Sequence, residues 1–93
     1  MDTFQLFKLP GDVSNEIAMR VRARRKEQNL TQKSLSRKSN VSLGSVKRFE
    51  QTGEISLSSL IKIAFALGYE TDFDDLFAKK SYSSIQEVID GQL

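Results

Sequence analysis

Thr31–Glu50, TQKSLSRKSNVSLGSVKRFE, decides the fold. Thr31 is a good N-cap and predicts a helix from Gln32 to about Ser39, with Leu35 facing inward. Asn40 follows, a residue type that tolerates the left-handed conformation of a tight helix end. Val41 is an apolar plug after the turn. Ser42 then caps a helix from Leu43 to about Thr52, with Val46 and Phe49 inward, and Gly53 ends it. Two short helices sharing an apolar side, joined through a three- to four-residue turn, make a helix-turn-helix. The small turn residue and the plug lock the two helices at their angle. The outer positions of the second helix are then free to be polar.

Upstream, Ser14 is expected to cap a first helix with Ile17, Val21 and the stem of Arg25 on one face, closing near Gln28. An arginine continuing an apolar face needs a partner. Leu30 anchors the link to the next helix. Pro10-Gly11-Asp12 is turn chemistry and sets off an N-terminal arm, residues 1–13. Within it Phe4, Leu6, Phe7 and Leu9 are too apolar for a purely solvated tail. Alternation is confined to this stretch and suits an edge strand pairing with its symmetry mate.

Downstream, Ser56 is expected to cap a fourth helix carrying Leu57, Leu60, Ile61, Ile63, Ala64 and Leu67, closed by Gly68. Thr71 with Asp74 resembles a capping box and predicts a short fifth helix with Phe73, Leu76 and Phe77 as a stripe. After a polar break, Ser84 and Glu87 open a last amphipathic stretch with Ile85, Val88 and Ile89. The expected architecture is all-α: a compact five-helix domain over residues 14–78, with arms at 1–13 and 79–93. The size allows one modest core.

Cysteine and histidine are both absent, which removes disulfides, thiolate or imidazole metal ligands, and an imidazole base. Nothing assembles a catalytic site or a phosphate-cradling glycine loop, so the expectation is a non-enzyme without metal or cofactor. No apolar run approaches the roughly 18 residues of a membrane span. Asp2 and the lack of a basic start do not suggest a signal peptide, and the expected setting is cytoplasmic.

The net charge of +2 conceals a polarised chain. Between residues 20 and 48, Arg20, Arg22, Arg24, Arg25, Lys26, Lys33, Arg37, Lys38, Lys47 and Arg48 are opposed only by Glu27. Beyond residue 69 the balance reverses through Glu70, Asp72, Asp74, Asp75, Glu87 and Asp90. A basic half beside an acidic half points to a polyanion-binding face and a second face directed elsewhere.

Arg20–Lys26, Leu30-Thr31-Gln32, Ser45–Glu50 and Ile63–Gly68 together resemble the Cro and phage-repressor helix-turn-helix family over roughly residues 15–78. Two positions depart from its pattern. Ser36 stands where alanine is usual, and Asn40 where glycine is usual. The resemblance implies a DNA-binding repressor whose second motif helix enters the major groove. Ser42, Leu43, Gly44 and Arg48 match positions facing base edges. Gln32 matches a phosphate contact, and Arg25 and Glu50 match an ion pair joining the first helix to the end of the third. The residue chemistry agrees in part: Arg48 can pair bidentately with guanine and Leu43 can touch a thymine methyl. Gly44 reads nothing but permits close approach. The expected phosphate contacts are Arg25, Gln32, Lys38, Ser45 and Lys47, which position without specifying.

Two half-sites one DNA turn apart imply a homodimer on a palindromic operator. The surface left for self-association is Phe73, Leu76, Phe77, Ile85, Val88 and Ile89. The compact domain with a short apolar C-terminal extension is also similar to small antitoxins that accompany HipA-like kinase toxins, which repress their own operon. The competing class is a protein-interaction module that keeps the fold without binding DNA.

Overall fold

The computed structural model describes residues 8–81. Four α-helices and one 3-10 turn occupy them: α1 Pro10–Glu27, α2 Gln32–Ser39, α3 Leu43–Thr52, α4 Leu57–Leu67, then Glu70–Phe73. The expected Phe4–Leu9 strand pattern lies largely outside the described residues, as do Phe4, Leu6 and Phe7 and the whole of Ser84, Ile85, Glu87, Val88 and Ile89.

The helix starts follow from side-chain oxygens that satisfy orphan backbone donors. Thr31 Oγ1 accepts from the Ser34 N–H (3.0 Å), Ser42 Oγ from the Ser45 N–H (3.1 Å) and Ser56 Oγ from the Ser59 N–H (3.1 Å). Helix α1 departs from expectation. Ser14 lies inside it, and Pro10-Gly11 form its first turn instead of a separating turn. Proline suits the first helical position because its φ is preset and its missing N–H would have no partner there. Asp12 Oδ2 accepts from the Leu9 N–H at 2.9 Å and caps the start.

The helix ends use left-handed residues. Asn40 at φ 58° ends α2, and its place in the turn explains why asparagine serves where glycine is usual. Ser36, the other departure, donates from Oγ to the Val41 carbonyl at 2.6 Å, so its hydroxyl closes the turn that an alanine would only pack against. Gly53 at φ 80° ends α3. A Cβ there would lie 2.9 Å from the Ser14 carbonyl carbon and 3.0 Å from the Asn15 nitrogen, so the site demands glycine twice, for backbone conformation and for space.

Ala18, Leu35, Val41, Val46, Phe49, Ile63 and Leu67 form the core, with Ile17, Val21, Leu30, Ile55, Leu60 and Ala66 packed against it. Leu35, Val46, Phe49 and Ile63 are wholly enclosed. Gln28 adds a polar tie, its Nε2 donating to the Leu67 carbonyl at 2.8 Å and joining the end of α1 to the end of α4.

The expected fifth helix is absent. Residues 70–73 make a 3-10 turn and the chain then continues in turns, with Phe77 at φ 59°. A short helix needs tertiary packing to repay nucleation. Here Phe73 is half-buried, but Leu76 is 55% and Phe77 94% exposed, so the expected stripe has no core to bury.

Candidate nucleic-acid interface

Helix α3 is buried along Val46 and Phe49 and open along the opposite side. Ser42, Gly44, Lys47 and Arg48 are exposed, and Leu43 and Ser45 half-buried. A Cβ built on Gly44 meets nothing, so this edge presents a shallow gap between Leu43 and Arg48. Ser42 serves the fold: its Oγ caps α3 and donates to Ser45 Oγ at 2.8 Å. Its hydroxyl is therefore already committed.

Arg25 and Glu50 meet, as the inward turn of an arginine on α1 requires. Arg25 Nε donates to Glu50 Oε2 (2.7 Å), Nη2 to Glu50 Oε1 (2.8 Å) and Nη1 to the Leu30 carbonyl (2.7 Å). Both side chains are enclosed, at 8% and 4% exposure. Burial alone would raise the Glu50 pKa. Hydrogen bonds from Arg25 and Gln32 and the charges of Arg25 and Arg22 outweigh it and hold the carboxyl below the ordinary glutamate range. This geometry corrects the expectation of Arg25 as a phosphate contact. Its guanidinium is buried and its donors on all three nitrogens are directed at protein oxygens, so it sits behind the surface and not on it.

Gln32 bridges the two layers. Its Nε2 donates to Glu50 Oε1 at 3.0 Å while the residue remains half-exposed at the start of α2. Around it Arg22, Gln32, Lys47, Glu50 and Gln51 line a polar cleft at the junction of α1, α2 and α3. Arg22 is 56% exposed, with Nε 4.0 Å from Glu50 Oε1. Arg22 and Gln51 were not singled out as contacts from sequence. The signal was available for Arg22, which lies one helical turn before Arg25 and therefore on the same side of α1. Lys38 is placed elsewhere: it lines a groove between α2 and α4 with Ser39, Ile61, Lys62, Phe65 and Ala66.

Arg20, Lys26, Lys33, Arg37, Lys38 and Lys47 are exposed and make no ion pair among the described residues. Arg48 is exposed and pairs with Glu54. Exposed cations thus occur on α1, α2 and α3, with Lys47 and Arg48 on α3 itself and Arg22 beside Lys47 at the cleft, and positive charge of this kind attracts phosphates. Among the described residues, no helix is long and apolar enough to cross a membrane.

Comparison of the chain with curated proteins and with solved structures gives no match. The family model HTH_3, described as helix-turn-helix, matches residues 21–73, which takes in the C-terminal part of α1 and all of α2, α3 and α4. More than half of the chain is covered, and the chain therefore belongs to the Cro/C1-type helix-turn-helix family, a family of DNA-binding transcription regulators.

Proposed function

We propose that this chain is a sequence-specific repressor that binds a palindromic operator as a homodimer, with α3 in the major groove of each half-site. The observation that carries the reading is the open edge of α3 beside the Arg22–Gln32–Lys47 cleft. Arg48 is the guanine reader, Leu43 the thymine-methyl contact, and Gly44 the position that lets the backbone approach. Arg22, Gln32, Ser45 and Lys47 fix the helix to the phosphates, and Glu50 holds the layer behind them. Leu76 and Phe77, exposed beyond α4, are the described part of the dimer surface; exposed apolar groups mark interfaces. The setting is cytoplasmic, and the second role is that of an antitoxin holding a HipA-like kinase toxin.

Titration of labelled duplex DNA over a salt series tests the core of this reading. Phosphate neutralisation makes affinity fall steeply with salt, and a selected site should be preferred by about 10³-fold or more over unrelated duplex. Absence of salt-dependent DNA binding would favour a protein-interaction module instead. Sedimentation with and without a palindromic duplex tests the dimer, and a kinase-like protein recovered with the native chain would support the antitoxin role.

A further inference from the structure

Arg48 shares the end of α3 with an acid whose position is set by the backbone. Past Thr52 the chain reverses at Gly53 (φ 80°). The Thr52 hydroxyl donates to the Arg48 carbonyl at 2.8 Å and accepts from the Glu54 N–H at 3.2 Å. One hydroxyl therefore ties the peptide of Arg48 to that of Glu54. Gly53 is seated against the backbone of Ser14 and Asn15 in α1, with no room there for a side chain. The outcome is a Glu54 Oε2 hydrogen-bonded to Arg48 Nη2.

A pair this exposed, 68% and 62%, contributes little to folding. Its consequence is at the surface of α3. A guanidinium is a rigid planar fork, and a carboxylate on one nitrogen sets the plane in which the other donors point. Bidentate reading of guanine O6 and N7 depends on that plane. The same carboxylate repels a DNA phosphate, so it opposes the default contact of a free arginine.

We propose that Glu54 is the positioning residue for Arg48, orienting its guanidinium for a guanine edge and keeping it off the phosphate backbone, and so trading affinity for discrimination. The proposal rests on the reading of α3 as the groove helix.

The test begins with duplexes selected by the wild-type chain from a randomised double-stranded pool. Wild type, Glu54→Gln and Arg48→Ala are then titrated against the selected duplex, its single-base-pair variants and an unrelated duplex, over a salt series. Arg48→Ala locates the base pair that Arg48 reads. For Glu54→Gln, discrimination at that pair should fall by about tenfold and be kept elsewhere. Binding to unrelated duplex should tighten by about threefold or more, and the salt slope should steepen by about one as Arg48 turns to a phosphate. The melting temperature should match that of the wild type, which separates positioning from folding. Full discrimination by Glu54→Gln at the Arg48 pair, or a loss that falls at a different pair, overturns the proposal while leaving the DNA-binding reading intact. Failure of the wild type to enrich any duplex overturns both.

Discussion

Two arginine–glutamate pairs flank α3, and they divide structure from function. Arg25–Glu50 lies beneath the helix, bidentate, with 8% and 4% of its side chains exposed. Arg48–Glu54 lies at the surface, joined through Arg48 Nη2 and Glu54 Oε2, with 68% and 62% of its side chains exposed. The chemistry is the same and the surroundings are opposite. The inner pair is held from three sides, by α1, by the Leu30 carbonyl and by Gln32 of α2, so neither partner can leave without stranding the other. The outer pair is open to water, so it adds little to folding, and its arginine keeps donors free to face outward while one nitrogen is held by the carboxylate. Burial, more than residue type, decides which arginine organises the fold and which is offered outward.

The largest effect should come from breaking the inner pair. Glu50→Ala leaves the Arg25 guanidinium buried and should cost about 3–5 kcal/mol in a urea unfolding experiment. Glu54→Ala should cost about 0–1 kcal/mol. Equal losses would dissolve the contrast between the pairs. The inner pair also carries a pH dependence. Because the folded pKa of Glu50 is depressed, its stabilisation is fully present above the unfolded value of about 4.3 and is lost as pH falls through the folded value. The stability difference between wild type and Glu50→Gln should therefore narrow at acid pH, in unfolding curves compared at pH 7 and below pH 4.

Gly53→Ala should come next. A left-handed alanine costs about 1–3 kcal/mol, and here its Cβ also meets the backbone of Ser14 and Asn15. The same substitution at Gly44, where a Cβ meets nothing, should leave the melting temperature unchanged or raise it. Arg48→Ala should leave folding intact and cost about 1–3 kcal/mol of binding, with relaxed preference at one base pair in a panel of variant duplexes. Uniform weakening on every sequence would reduce Arg48 to a phosphate contact. Lys47→Ala should have the smallest effect, a sequence-independent loss seen as a salt slope lowered by about one.

Much of this was legible along the chain because it is local. Thr31, Ser42 and Ser56 announce helix starts, and Asn40, Gly53 and Gly68 announce ends, through conformations that each residue favours by itself. The core face of each helix follows from apolar spacing. Arg25 could be placed inward because it extends the Ile17–Val21 face, and Glu50 was its match by family resemblance. Other features misled for physical reasons. Pro10-Gly11 has turn chemistry, yet proline is equally at home in a first helical turn, and Asp12 tipped the choice. Phe73, Leu76 and Phe77 have helical spacing, but no surface on α4 waits to receive the last two.

The sequence by itself determined the caps at Thr31, Ser42 and Ser56, the left-handed turn and the polarity of α3, since each depends on residues a turn or less apart. Only the tertiary structure decided which cations stand in the open. Arg22 and Arg25 are one helical turn apart on α1 and chemically identical, and packing against α3 buries one and leaves the other at the cleft. Likewise nothing local marks Glu54 as the companion of Arg48. Their meeting follows a left-handed reversal at Gly53, which fits so close to α1 because glycine carries no side chain.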